Sequence, residues 1–404
     1  MSFRGAISSK TGIYILSAAF LILGALALAM FGFGGVGRGD GNFASDMLYL
    51  FVAGEMWEAG SSPYVFDMFR EDMKSIVNID SVSYAYPPNS ALLALALSSG
   101  SVGMAKILIG VMNLIAIGVL CAFVAAGAAQ TRDVHPGRLR VMAVITAAVV
   151  IGNPFTAHVV WLGQTTLISA AFLYAAWLVA DRRMDVLAGV LLGLAAFKPQ
   201  LAFVVGLWFL LDRRWLLLVV AGAATLLMSA WPLVTTGLDG SWLDWPRALS
   251  DYQGGTFNLI SFKHVFGLRS LLASAGIMVP SMMPLAILGV IALFWVRHQY
   301  EQIWLINAIL ILSFLLLYAH DYDLAPVAVL TFPLLIASRG RSGLLLLICV
   351  MACIIFFPQR LWEKLDLSQM ARSREIALMG ILATYLVVGR TVRRPTARPA
   401  RAMS

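Results

Sequence analysis

Charged residues are scarce in this sequence. They make up 12% of its 404 residues, whereas hydrophobic residues make up 60%. A soluble globular protein carries about 25% charged and about 45–50% apolar residues. So few charges cannot coat a water-soluble chain of this length. The composition therefore predicts an integral membrane protein.

Cysteine is also rare, and the motifs of several enzyme classes are absent. Cys121, Cys349 and Cys353 lie in apolar runs without CxxC or Cys/His spacing, which argues against a disulfide framework or a zinc site. The sequence contains no P-loop, GxGxxG or Ser/His nucleophile pattern. Without an ATP site, the protein must draw energy from a gradient or from an activated substrate that arrives in the membrane.

Apolar runs of spanning or near-spanning length are what the sequence has in abundance. They fall at about 12–33, 103–128, 141–157, 164–180, 184–197, 200–211, 215–235, 278–296, 302–318, 324–338, 342–357 and 376–389. Several are shorter than the roughly 20 residues that cross a bilayer core, which is tolerated where protein surrounds their ends. We expect one all-α polytopic domain over residues 1–404, with about 12 transmembrane helices.

The basic residues orient these runs. With the N-terminus in the cytoplasm, the inner side holds 17 of the 29 basic residues and 5 of the 21 acidic ones. The opposite orientation violates the positive-inside rule at nearly every short loop. Both termini are therefore predicted to be cytoplasmic, and the arginine-rich tail 390–404 is predicted to be disordered. The net charge of +8 thus reflects topology and requires no nucleic acid.

The first outer loop, residues 34–101, is the longest on that side. It predicts an amphipathic interfacial helix at about 46–59, capped by Ser45 or Asn42, and a second short helix at about 65–77. The apolar run 90–97 is too short to span. It is interpreted either as a re-entrant or interfacial helix or as the first half of the next span.

Asp46 lies in the first turn of the predicted helix at 46–59. A carboxylate is favoured there by the helix dipole, so Asp46 is either a structural residue of the helix terminus or a general base at the membrane–water boundary.

Lys198 is preceded by 12 and followed by 13 uncharged residues. A buried ammonium is a functional candidate by default, and an anion such as a lipid phosphate is a natural partner. The alternative is that Lys198 extends to the outer headgroups.

Two further outer segments carry polar residues. In the turn His320-Asp321-Tyr322-Asp323, His320 or Asp321 is expected to have a polar role in an outer cavity. The D-x-D spelling of the turn is either a weak metal diad or simply two residues of an outer turn. In the segment 262–269, Lys263 and Arg269 face outward against the general charge trend. They bind phosphate or outer-leaflet lipid, or belong to an interfacial amphipathic helix.

Short motifs occur in order in the outer segments between about residues 40 and 325: Asp46 with Tyr49, Gly60 and Pro63-Tyr64; Tyr86-Pro87-Pro88; Gly163-Gln164; Gly193 with Lys198-Pro199-Gln200; and His320-Asp321-Tyr322. Together they resemble the glycosyltransferase family 87 branch of the GT-C superfamily. The family consists of multispanning enzymes that use polyprenyl-phosphate sugars, including mannosyltransferases of phosphatidylinositol-mannoside synthesis. The resemblance implies a GT-C-type fold and transfer of a hexose such as mannose to a lipid or glycan acceptor.

The resemblance also implies a mechanism. Asp46 would deprotonate the acceptor hydroxyl, which attacks the anomeric carbon, and the polyprenyl phosphate would leave with cationic or dipolar stabilisation by nearby groups. The candidate phosphate-binding residues are Lys198, His320, Lys263 and Arg269. The candidate substrate-binding residues are Tyr49, Tyr64, Tyr86, His158, Gln164, Gln200, Asp321 and Tyr322. The loop 152–164 lacks the second acidic residue of many GT-C relatives, which favours an inverting reaction without metal or cofactor.

Two other interpretations remain open. A secondary transporter or flippase also fits twelve spans and a buried lysine, although the two halves show no clear internal repeat. A lipid-binding scaffold of envelope assembly is the other. As an enzyme, the protein is expected in a bacterial inner (cytoplasmic) membrane, with its site on the periplasmic side and with sugar donor, acceptor and membrane lipids as partners.

Overall fold

The computed structural model describes residues 10–34, 43–78, 83–131, 134–256 and 258–392, and this part of the chain is almost entirely helical. The α-helices are α1 Lys10–Ala27, α2 Ser45–Glu58, α3 Phe66–Val77, α4 Ala91–Ser98, α5 Val102–Gln130, α6 Pro136–Gly152, α7 Pro154–Leu162, α8 Thr166–Asp181, α9 Asp185–Ala195, α10 Pro199–Leu211, α11 Trp215–Met228, α12 Ala230–Thr235, α13 Trp245–Gly254, α14 Leu268–Ser274, α15 Met283–Trp295, α16 Gln302–Leu316, α17 Thr331–Ala337, α18 Ser342–Phe356, α19 Gln359–Lys364 and α20 Ser373–Val392. Two short strands, β1 Val265–Phe266 and β2 Ala319–His320, pair antiparallel. The helical content agrees with the predicted all-α class.

Helices of full spanning length are fewer than the predicted spans. Among the described residues, Val102–Ala129 is long and apolar enough to cross a bilayer by itself. The pair Pro136–Gly152 and Pro154–Leu162 qualifies as a second span if its 42° bend is accepted. Other apolar helices have 10–17 residues, so the number of twelve spans stays a prediction.

The first outer loop contains both predicted helices, α2 and α3, within one residue of their expected starts. The prediction that α2 is amphipathic is wrong, because its residues are buried on every side of the helix. It packs so closely on α4 that a Cβ on Gly54 would lie 2.4 Å from the Ala94 carbonyl oxygen. The residue before α2 is Ala44, which makes no side-chain cap, so Ser45 does not cap the helix; Asn42 lies outside the described residues.

Helix α4 is separate from the next long helix. Residues 99–101 separate the two helices, and Ser101 caps α5 by accepting a hydrogen bond from the Met104 backbone N–H. The run 90–97 is therefore not a continuous first half of α5. Its re-entrant character stays a prediction.

Proline and asparagine determine where several helices begin. Pro136, Pro154 and Pro199 occupy first-turn positions of α6, α7 and α10, where a missing N–H costs nothing. The Asn153 side chain accepts hydrogen bonds from two N–H groups of α7 and so forms the bend after α6. At the other end of the chain, α20 runs through residues 390–392; the rest of the predicted disordered tail lies outside the described residues.

The tertiary arrangement gathers the outer segments. Helix α7 packs on the 3₁₀ segment Asp321–Leu330, and α2 packs on α7. Strands β1 and β2 pair Val265 with His320 and thereby join the segment after α13 to the turn after α16. Residues far apart in the chain therefore meet at one end of the molecule.

Candidate active site

A cavity of about 1510 Å³ lies among the segments that the charge distribution assigns to the outer side. Twelve of the thirteen predicted site residues line it: Asp46, Tyr49, Tyr86, His158, Gln164, Lys198, Gln200, Lys263, Arg269, His320, Asp321 and Tyr322. The wall also contains residues that were not predicted, among them Asp323, His264, Tyr252, Tyr318 and Trp245. Residues from distant parts of the sequence therefore share one cavity.

Tyr64 is the exception. It is buried and does not line the cavity, and its hydroxyl donates a hydrogen bond to the Tyr86 backbone carbonyl at 2.8 Å. Its ring lies against those of Trp57 and Tyr84. Tyr64 therefore supports the wall that carries Tyr86, and its geometry does not favour the substrate contact expected from the sequence.

Gln164 connects the half-buried Asp46 to the rest of the wall. Its amide nitrogen donates to Asp46 Oδ2 and to the Tyr322 hydroxyl at 3.1 Å, and its amide oxygen accepts from the Tyr86 hydroxyl at 3.0 Å. The backbone carbonyl of Gln164 is itself held by the Asn113 amide at 3.1 Å. One carboxylate oxygen of Asp46 is thus fixed by an amide whose orientation is set by two tyrosines.

Lys198 is buried and paired with an acid. Its Nζ lies 3.1 Å from Asp323 Oδ1 and 5.4 Å from the centre of the Tyr322 ring. Asp323 also accepts from the Thr166 hydroxyl and from the His320 backbone N–H. Burial alone would raise the pKa of Asp323, but Lys198 and the other neighbours outweigh it and hold that pKa below its usual range. The ammonium therefore does not extend to solvent, and its resting partner is a carboxylate.

His320 is surrounded by aromatic rings. It stacks on Tyr322 with ring centroids 5.1 Å apart, and its Nε2 lies 3.3 Å from the Tyr252 hydroxyl. Burial lowers the pKa of the His320 imidazole, and the attraction of Asp323 does not compensate. A neutral ring is favoured at neutral pH, so His320 can assist a departing phosphate through a hydrogen bond and not through a positive charge.

Asp321 lines the cavity, but one of its carboxylate oxygens faces two basic side chains. Its Oδ2 lies 3.0 Å from His264 Nδ1 and 3.7 Å from Arg374 Nη1. Burial acts to raise the pKa of Asp321, but the hydrogen bond from His264 and the charges of His158 and Arg374 prevail, and the pKa lies below its usual range. The predicted direct substrate contact of Asp321 is therefore not favoured by its geometry.

The two carboxylates of the D-x-D spelling have different partners, since Asp321 faces His264 while Asp323 faces Lys198. Among the described residues, no group of three or more His, Cys, Asp or Glu could hold a metal ion.

The two remaining predicted cations lie near the cavity mouth. Lys263 is half exposed, and its Nζ forms an ion pair with Glu363 at 2.6 Å. Arg269 donates from Nε to the Val279 carbonyl at 3.1 Å. Both line the cavity, but an exposed pair such as Lys263 with Glu363 contributes little stability by itself.

Apolar side chains on the outside of the protein continue into the cavity wall. Met30 and Phe31, in the turn Leu28–Gly32 after α1, are more than 60% exposed, and Phe203 of α10 and Met283 of α15 are also exposed. All four line the cavity. Its lining therefore includes an apolar margin of side chains that are also exposed on the outside of the protein.

The partners of the buried charges were not predicted from the sequence. Asp323 was considered only as part of a metal diad, although a buried Lys198 requires an acid and Asp323 is available in the same outer region. The sequence indicated Arg372 and Arg374 more weakly. Both are basic residues on the predicted outer side, against the general charge trend, and they lie at the start of an apolar helix.

Comparison with known proteins agrees with the resemblance. The sequence model of glycosyltransferase family 87 matches residues 84–319, more than half of the chain. No curated protein matches the sequence at a significant level. The match covers the segments that supply Tyr86, Gln164 and Lys198 to the cavity. The chain therefore belongs to glycosyltransferase family 87 and is a membrane glycosyltransferase.

Proposed function

We propose that the protein transfers a hexose such as mannose from a polyprenyl-phosphate donor to a hydroxyl of a lipid or glycan acceptor. The reaction takes place on the periplasmic face of the bacterial inner membrane and inverts the anomeric carbon. One observation carries the proposal: Asp46, Lys198 and His320 come from three distant segments and line the same cavity. This displacement needs a carboxylate base and hydrogen-bond donors for the departing phosphate.

Asp46 is the general base. Its Oδ2 is held by Gln164, so the carboxylate has a defined orientation while the other oxygen can accept the acceptor's hydroxyl proton. The position in the first turn of α2 lets the helix dipole stabilise the charged form. This structural advantage and the catalytic role are compatible, because both require an ionised carboxylate.

Lys198 stabilises the leaving phosphate. An ammonium has three N–H donors, and the structure commits one of them to Asp323. The other two can meet phosphate oxygens when the donor enters. Asp323 holds the ammonium in place, and His320 adds a neutral N–H donor beside it.

The apolar margin admits the lipid part of the substrates. Side chains such as Phe203 and Met283 extend from the outer surface of the helices to the cavity, so a polyprenyl chain can remain in the membrane while its phosphate reaches Lys198. Within the cavity, Tyr49, Tyr86 and His158 offer rings and polar tips to the sugar, and Gln200 offers an amide.

The reaction proceeds without a metal or an organic cofactor. The side chains named above supply the base and the phosphate donors, and the D-x-D carboxylates are engaged with Lys198 and His264. Transfer in the presence of EDTA should equal transfer in its absence. A loss of activity in EDTA that Mg²⁺ or Mn²⁺ restores would contradict this part of the proposal.

A transporter or flippase is less well supported. The wall of the cavity is formed by segments assigned to the outer side, including the end of α1, the start of α10 and the turn after α16. Alternating access requires a site that opens to both sides. A transporter would move donor lipid across vesicles without forming a glycosylated product, and this outcome separates the two functions.

The test uses purified full-length protein with polyprenyl-phosphate mannose and a membrane extract as the source of acceptor. Asp46→Asn keeps the size and one acceptor oxygen but loses the base, and we expect kcat to fall by about 100-fold or more. Asp67→Asn is the matched control, because Asp67 also lies in the first turn of an outer-loop helix but is exposed and outside the cavity. Wild-type protein that transfers no sugar from any polyprenyl-phosphate donor would refute the proposal, and full activity of Asp46→Asn would refute the mechanism.

A further inference from the structure

His264 and Asp321 are placed side by side by the backbone. Strand pairing sets Val265 opposite His320, and the Asp321 backbone N–H donates to the His264 carbonyl at 2.9 Å. The side chains then meet, with His264 Nδ1 3.0 Å from Asp321 Oδ2. The contact therefore depends on main-chain hydrogen bonds as well as on the two side chains.

The two residues differ in their access to the cavity. Asp321 is 3% exposed, whereas the His264 side chain is 33% exposed, and both line the cavity. An ionised carboxylate only accepts hydrogen bonds, so the geometry assigns a proton to His264 Nδ1. Nε2 is then the nitrogen of the ring that is left for a ligand.

Two arginines hold the dyad of His264 and Asp321 in place. Arg374 is 1% exposed and lies 3.7 Å from Asp321, while its Nη2 donates to the Phe357 carbonyl at 2.6 Å. Arg372 donates to the carbonyls of Phe262 and Val265, on either side of His264, at 3.0 and 2.8 Å. These residues follow the segment that matches the family model. Their contacts restrict the backbone that carries the imidazole.

We propose that His264, oriented by Asp321, is a second catalytic group of this site and protonates the phosphate oxygen that leaves the sugar. The inference rests on the proposed function. The bond between the anomeric carbon and that oxygen breaks, and its electron pair stays on the oxygen. The Nε2 proton of the imidazolium passes to the oxygen, so polyprenyl phosphate leaves as the monoanion. Asp46 receives the acceptor's proton and releases it to water, and His264 is reprotonated from water.

Several charged or titratable groups surround His264 and Asp321. The charged or titratable groups that face the dyad from the adjoining segments are Asp321, Arg374, Arg372, Glu375, His158, Lys263 and Glu363. We expect kcat to fall as the pH rises through the ionisation of His264, since only the protonated ring can supply the proton.

The test replaces His264 in the full-length protein and measures transfer from polyprenyl-phosphate mannose as a function of pH. His264→Ala should lower kcat by about 100-fold with a much smaller change in the donor KM. His264→Gln retains an N–H donor but no titration, so it should keep more activity and lose the alkaline limb of the pH profile. His298→Gln is the control, because His298 is exposed and follows the far end of α15, outside the cavity.

Asp321 is a positioning residue in this scheme, and a double variant tests that role. His264→Gln should remove the alkaline limb, whereas Asp321→Asn should lower kcat but leave a limb, because the imidazole of His264 still titrates. The two changes together should lower kcat no further than His264→Gln alone. An unchanged pH profile in His264→Gln, or strictly additive effects in the double variant, would overturn the inference. If wild type transfers sugar and His264→Gln behaves like wild type, the inference fails and the proposed function stands; if wild type transfers none, the proposed function itself fails.

Discussion

The buried pair of Lys198 and Asp323 makes a prediction that separates stability from function. Nζ and Oδ1 are 3.1 Å apart, and the two side chains are 9% and 2% exposed. Lys198→Met removes the charge but keeps most of the apolar stem. The Asp323 carboxylate then retains two neutral donors, the Thr166 hydroxyl and the His320 backbone N–H.

Removing one partner of a buried ion pair costs about 3–5 kcal/mol, because the other charge stays buried without compensation. The two remaining donors on Asp323 place our expectation near the lower end, at about 3 kcal/mol. Replacing both charges is often close to neutral. The double variant Lys198→Met with Asp323→Asn should therefore be more stable than Lys198→Met alone.

The assay compares thermal unfolding and sugar transfer of the detergent-purified variants. Lys74→Met serves as the control, since Lys74 is an exposed lysine of the outer helix α3. We expect the double variant to regain stability but not donor use, because the leaving phosphate still lacks its cation. A Lys198→Met protein as stable as wild type would refute the stabilising role of the buried ion pair between Lys198 and Asp323. A stable double variant with normal donor KM and kcat would remove Lys198 from the donor site.

Three further predictions concern the same wall. Gln164→Leu removes a hydrogen bond to the charged Asp46, worth about 1.5–3 kcal/mol, and should lower kcat by about 10- to 150-fold. Gln302→Leu, at an exposed position outside the cavity, should leave kcat unchanged, and equal activities of the two variants would contradict the role of Gln164. The lowered pKa of Asp321 contributes stability that is present above the unfolded-state pKa of about 3.9 and is lost as the pH falls through the folded-state pKa. The stability difference between wild type and Asp321→Asn should therefore be large at pH 7 and shrink on acidification. A difference independent of pH would be the contrary result. Gly54→Ala places a Cβ 2.4 Å from both the Ala94 carbonyl oxygen and Ser98 Oγ and should destabilise the protein by about 1–3 kcal/mol, while Gly118→Ala, with nothing within 4 Å, should have a much smaller effect on the unfolding midpoint.

Much of the helical organisation could be predicted from the sequence because its causes are local. The run of uncharged residues on both sides of Lys198 and the proline after it predict two short helices joined by a turn, as in α9 and α10. The helices at 46–59 and 65–77 were also predicted, within about one residue. The amphipathic character of α2 was predicted wrongly, because the packing of α4 and the outer segments around a helix depends on residues distant in the chain.

The candidate site was predictable as a set of residues but not as a set of contacts. Motifs, charges and polar residues in the predicted outer segments named twelve residues that line the cavity. They did not indicate that Tyr64 supports Tyr86 from behind, or that the carboxylate of Asp321 is turned to His264 and Arg374. Motifs record which residues occur in order along a chain, whereas orientation depends on what packs against each side chain.

The sequence by itself indicated the class of protein, since a membrane requires apolar runs. It also predicts on which side each loop lies, since basic residues between those runs favour the cytoplasmic side. It also marked Lys198 as a charge that needs a partner. Only the tertiary structure decided that this partner is Asp323, 125 positions away, and that Gln164 meets Asp46 across 118 positions. A buried charge must be satisfied, but which group satisfies it depends on how the helices pack, and that packing is a property of the whole chain.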